Sequence, residues 1–211
     1  MYRKMRNNDY RLHQWNNRYS GHIELVNQLV DKLRLELAED IPYVAPSYGG
    51  TKAKILLLLQ DPGPKTNLTQ NGSGFISTQN DDPTAEVLGT LLDKAQIALD
   101  DVIAWNACIH YIGSDQKKPS AKQLQHNLNP LAQLIELLPK LQVVILMGRV
   151  AEDSWSRFSG TYPHLASEIC IFECPHPSKR GLMGSGPNRR SRQEGLALVM
   201  KALENAKARI C

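Results

Sequence analysis

A carboxylate, an amide and an imidazole each stand at or just behind an apolar run of strand length. Asp61 follows KILLLLQ (54–60), Asn106 ends DVIAWN (101–106), and His176 lies two residues beyond EICIFEC (168–174). Gathered around one pocket, these groups activate water, read a hydrogen-bonding edge and stabilise a developing anion. That is the equipment for hydrolysis at a base. Gln60 and Ser178 flank the set, and a fourth apolar run, QVVILMG (142–148), ends at Gly148-Arg149. Beyond His176 come Lys179, Arg180, Arg189, Arg190 and Arg192, with no carboxylate between Glu173 and Glu194. A loop of that charge faces something negative.

The four runs are continuously apolar rather than alternating, which predicts strands covered on both faces, as in a parallel sheet. Helical patterns separate them. Residues 84–99 place Leu88, Leu91, Leu92, Ala95 and Leu99 on one stripe behind Asp82-Pro83. Asn129-Pro130 opens a second helix, a short one follows Gly148, and the last carries Leu196, Val199, Met200, Leu203 and Ile210. Ser20 is a candidate cap for a helix running to Leu37. This order predicts an α/β fold: a three-layer α/β/α sandwich around a four-stranded, mostly parallel sheet. Segments 61–80 and 175–191 read as long functional loops. In such sheets ligands bind at the carboxyl ends of the strands, where Asp61, Asn106 and His176 stand.

The 211 residues are read as a single domain (1–211) with a basic N-terminal extension over 1–19. With 42% hydrophobic and 22% charged residues, disorder is excluded. No apolar run approaches the ~20 residues of a membrane-spanning helix, and the first residues are polar, so a cytoplasmic location is expected. The net charge of +4 is concentrated at the chain ends, which favours a polyanionic partner over a uniformly basic surface. Cys108, Cys170, Cys174 and Cys211 form no CxxC pair, so free thiols are expected. Trp105 and Trp155 are expected in the core.

The sequence resembles the uracil-DNA glycosylase superfamily over about residues 50–208. LLLLQDPGP is similar to the family's first motif, VIAWNA to the strand whose terminal Asn reads the flipped base, and PHPS to the His-Pro-Ser motif of the second catalytic loop. GFISTQNDDPTAEVLGTLLDKAQI and VVILMGRVAEDSW are similar to the intervening stretches of bacterial members. The resemblance implies that Asp61 positions or activates water, Asn106 pairs with the pyrimidine edge, and His176 hydrogen-bonds the base O2. It further implies that Gln60, Gly63 and Phe75 surround the base, with Phe75 stacking on it. Ser178 would hold a phosphate, Lys179 to Arg192 would follow the backbone, and Arg180 or Leu182 would enter the space left by the flipped nucleotide. One departure matters. Where the main uracil enzymes carry a bulky aromatic that excludes C5 substituents, this chain has Gly63. It also lacks the cysteines of the iron–sulfur branch.

The implied activity is a monofunctional DNA glycosylase that leaves an abasic site, acting as a monomer on DNA with a damaged or modified pyrimidine, without metal or other cofactor. The base is uracil or a 5-substituted pyrimidine. Repair of deaminated cytosine and attack on modified phage DNA both fit. No lysine at a strand end suggests a Schiff base. Two alternatives remain: a metal-dependent nuclease using Asp61, Asp81, Asp82 and His176, and a catalytically silent nucleic-acid-binding module of the same fold. His110 and Tyr111 receive no role.

Overall fold

The computed structural model describes residues 2–210; Cys211, one of the expected free thiols, lies outside them. In chain order the elements are α1 (Asn8–Asn16), α2 (Glu24–Leu37), β1 (Tyr43–Val44), β2 (Ile55–Leu59), β3 (Phe75–Ile76), α3 (Pro83–Lys94) and β4 (Val102–Asn106). They continue with α4 (Ala121–His126), α5 (Leu128–Glu136), β5 (Val143–Met147), α6 (Arg149–Thr161), α7 (Pro163–Ala166), β6 (Cys170–Cys174), α8 (Lys179–Met183) and α9 (Arg192–Ile210). All four expected strands form and pair in the order β4-β2-β5-β6, every pair parallel.

The continuous apolar runs have the meaning expected of them: Ile55, Leu56, Leu57 and Leu58 are all buried, because helices cover both faces of the sheet. One layer holds α9, against β5 and β6, with α3 beside it; the other holds α6 against β2 and β5, backed by α5. Residues from Met5 to Ala206 share one apolar cluster. Among the described residues no helix is long and apolar enough to cross a membrane, and Cys108, Cys170 and Cys174 are free.

Several boundaries differ from expectation for identifiable reasons. Helix α3 stops at Lys94 rather than near Leu99, because Gln96 takes a left-handed conformation (φ 54°). Asp82 caps it as expected, accepting from the Thr84 and Ala85 amides. Pro130 sits inside the first turn of α5 rather than opening it, and a separate helix, α4, precedes it behind a Ser120/Gln123 capping box. Helix α6 is not short, and Ser20 makes no side-chain cap. The two long loops carry structure: β3, which pairs with β1, and helix α8.

The basic N-terminal stretch packs onto the domain. Met5 is buried and its amide donates to the Gln79 carbonyl at 3.0 Å. Arg3 bonds Glu86 (2.7 Å) and Asp81 (3.3 Å), and Arg6 bonds Asp81 (2.7 Å). Helix α1 escapes sequence reading because it lacks an apolar stripe. It is held by the Asn7 cap and by Trp15, whose ring meets Phe75 at 5.2 Å.

Candidate active site

The strand register brings the three chemical groups together. Leu59 pairs with Asn106, and beyond the strands the Ala107 amide donates to Leu59 (2.8 Å) and the Cys108 amide to Gln60 (2.9 Å). Asp61 and Asn106 therefore emerge side by side. On the other side of β2, the Gly148 amide donates to the Cys174 carbonyl at 2.8 Å, tying the end of β5 to the chain leading into His176. Gly148 has φ 93°, a conformation strained for other residues, and a Cβ there would crowd the His176 Cβ at 3.1 Å, so glycine favours this close approach of the two segments.

Two cavities meet at this point. An inner chamber of about 290 Å³ is walled by Asp61, Asn106, His176, Tyr48, Ile76 and Thr78, with Asp82 and Leu88 toward α3. An outer groove of about 1120 Å³ runs past Gln60, Lys117, Arg180 and Arg190. Asp61, Gly63, Pro64 and His176 belong to both and frame the opening between them.

Asn106 is only 5% exposed, and its Oδ1 has no hydrogen-bond partner among the described residues. A buried amide oxygen left unpaired costs about 1–3 kcal/mol, a cost that a donor entering the chamber would remove. His176 is held in a defined state. Burial pushes it down to about 4, so it is neutral near pH 7. The Ser178 amide donates to its Nδ1 at 3.2 Å, which leaves Nε2 as the protonated nitrogen and a hydrogen-bond donor. Ser178 also caps α8, accepting from the Gly181 amide at 3.2 Å. Burial raises the Asp61 carboxyl from its ordinary value, against the lowering effect of the Gln60 side chain, the Ile112 amide and His110.

Several expected site residues stand elsewhere. Phe75 cannot stack on a base. It is 0% exposed and packs against Trp15 and Tyr43 (6.1 Å), while its neighbour Ile76 faces the chamber. Leu182 cannot enter DNA either, because it is fully buried against α9; Met183 is the exposed apolar residue of α8. Gln60 lines the groove rather than the chamber, and its Nε2 donates to Asp61 Oδ1 (2.9 Å) and to the Lys117 carbonyl (3.1 Å). Of the basic residues, Arg180 and Arg190 line the groove; Lys179, Arg189 and Arg192 are exposed outside it. Trp105 and Trp155 are buried.

The nuclease alternative loses its ligands. Asp81 is committed to Arg3 and Arg6, Asp82 to the cap of α3, and among the described residues no group of three His, Cys, Asp or Glu is placed to hold a metal ion. Sequence reading missed Tyr48, Lys65 and Thr78 in the chamber, and Lys117 and Lys118 in the groove. None belongs to a strand-end motif. Tyr48 reaches the chamber from beyond β1.

The model of one family, the uracil DNA glycosylase superfamily, matches residues 46–200. The chain belongs to the uracil DNA glycosylase superfamily. No curated protein sequence matches it significantly. Among solved structures, the wild-type Pedobacter heparinus SMUG2 crystal structure is similar, with a TM-score of 0.51 and 12% identity over 86% of this chain and 97% of that one. At that identity the likeness bears on the fold alone, and it agrees with the parallel sheet flanked by helices. Superfamily membership makes this protein a DNA glycosylase in general class, with DNA as its partner. The matched segment includes β2, β4, β5 and β6 with the residues that follow them.

Proposed function

We propose that the protein is a monofunctional glycosylase that hydrolyses the N-glycosidic bond of a flipped pyrimidine, uracil or a 5-substituted base, leaving an abasic site. The observation that carries this reading is the unpaired Oδ1 of Asn106 in a chamber that opens between Asp61 and His176. A base seated in the chamber leaves its sugar and phosphates in the groove. The bond to be broken then falls at the shared opening.

Asn106 accepts the N3–H of the ring through Oδ1 and donates through its amide NH2 to the adjacent carbonyl. As the C1′–N1 bond breaks, its electron pair goes to the base, and charge collects on O2. His176, neutral with Nε2–H outward, donates to that oxygen without having to lose a proton. Asp61, oriented by Gln60, directs water to C1′ and takes up its proton, a role that suits a carboxyl raised by burial. At the opening, Gly63 offers no side chain to crowd C5 of the pyrimidine.

The test is mass spectrometry of bases released from oligonucleotides that carry uracil or one of several 5-substituted pyrimidines. Release of a pyrimidine by the wild type, lost in Asn106→Ala, is expected; no release from any substrate would end the reading. Borohydride should trap no protein–DNA adduct. A trapped adduct would instead make the exposed Lys65 at the chamber a lyase nucleophile.

A further inference from the structure

The groove has two cationic sides, and only one was anticipated by the motifs. Ser178, Arg180 and Arg190 hang from the end of β6, at one edge of the sheet. Lys117 and Lys118 come from the loop after β4, at the opposite edge. Three inter-strand steps of about 4.8 Å separate those edges, roughly 14 Å in all. Asp61 and His176 lie between the two sides. Nucleotides of one strand are spaced by about 3.4 Å along a helix and farther apart when extended. The two sides are therefore set to take phosphates on either side of one flipped nucleotide.

Charge and attachment support the same arrangement. Lys117 and Lys118 are exposed, and neither joins an ion pair among the described residues. The groove also holds Asp61 behind β2, Glu173 on β6, and Glu152 in the first turn of α6, where Arg149 pairs with it at 3.7 Å, so the cations of the groove without an acidic partner among the described residues are those of its two sides. Burial and Glu173 both raise the Glu152 carboxyl, as expected of crowded acids. The lysine loop is also tied to the reaction centre, because one Gln60 amide nitrogen bridges the Lys117 carbonyl and Asp61.

We propose that Lys117 and Lys118 form a second contact surface for the DNA backbone, across the groove from Arg180 and Arg190, gripping phosphate on the far side of the flipped nucleotide. The proposal rests on the glycosylase reading, yet the two can fail separately. The probe is a fluorescein-labelled duplex carrying a tetrahydrofuran abasic analogue, titrated by anisotropy across a salt series. Lys117→Ala/Lys118→Ala should raise Kd about tenfold and make the slope of log K against log salt shallower by about 1.8, from ~0.9 per phosphate contact. Lys117→Arg/Lys118→Arg should keep wild-type affinity, and Lys140→Ala should change nothing. An unchanged slope in the double alanine variant, or loss of affinity in the arginine variant, overturns the surface. A wild type that binds the probe but releases no base overturns the glycosylase reading and leaves the surface standing.

Discussion

Gly63 is the position at which the proposed glycosylase reading makes its sharpest claim about the substrate. It stands at the opening between chamber and groove, a Cβ built there meets no heavy atom within 4 Å, and its φ is not left-handed. A side chain should therefore be accepted without strain in the turn. Gly63→Ala serves as the control and should leave the melting temperature and all base-release rates within about twofold. Gly63→Tyr should project a ring toward C5 of the bound pyrimidine. Overpacking of that kind costs about 1–3 kcal/mol, and at 1.36 kcal/mol per tenfold this is a loss of about 5- to 150-fold on a 5-substituted base. Uracil, which presents only hydrogen at C5, should lose less than about threefold. The assay is single-turnover release of uracil and 5-hydroxymethyluracil from matched oligonucleotides, and the readout is the ratio of the two rates. An equal loss on both bases would mean the ring blocks entry rather than selecting at C5. A wild type that rejects every C5-modified base would mean another residue closes the pocket.

Further outcomes follow from the same geometry. Asn106→Ala and His176→Ala should each slow single-turnover release at least tenfold with circular dichroism unchanged, since each removes a hydrogen bond of ~1.5–3 kcal/mol at the reacting base. His176 titrates at about 4 when folded and near 6.5 when unfolded, so the unfolded chain binds the extra proton between those values. Denaturant stability should accordingly fall as pH drops from about 6.5 toward 4, by about 2–3 kcal/mol from this group, and His176→Gln should flatten that limb. Arg180→Ala and Arg190→Ala should each make the salt slope of DNA binding shallower by about 0.9, whereas Arg189→Ala and Arg192→Ala, outside the groove, should leave it unchanged. Leu182→Ala should cost about 2–5 kcal/mol in chemical denaturation, as expected for a core residue and not for one that inserts into DNA.

The sequence by itself determined the four parallel strands, the helical layers and the strand-end position of Asp61, Asn106 and His176. Those features are written in local signals: uninterrupted apolar runs, turn residues that stop them, and polar groups where the runs end. Which way a side chain points at a loop or short helix is not local. Phe75 and Ile76 are adjacent apolar residues, and Phe75 turns inward only because Trp15 and Tyr43 offer it an aromatic socket. Leu182 and Met183 divide in the same way, because α9 covers the first and leaves the second exposed. The charges of Arg3 and Arg6 look available in sequence and are taken up by Asp81 and Glu86, brought near by the fold. Lys117 and Lys118 show the reverse: an ordinary lysine pair in a loop becomes one side of a groove because β4 is an edge strand and Gln60 holds their loop against Asp61. Spacing along the chain sets where a group leaves the sheet, but contacts between distant segments decide whether it faces core, solvent or substrate.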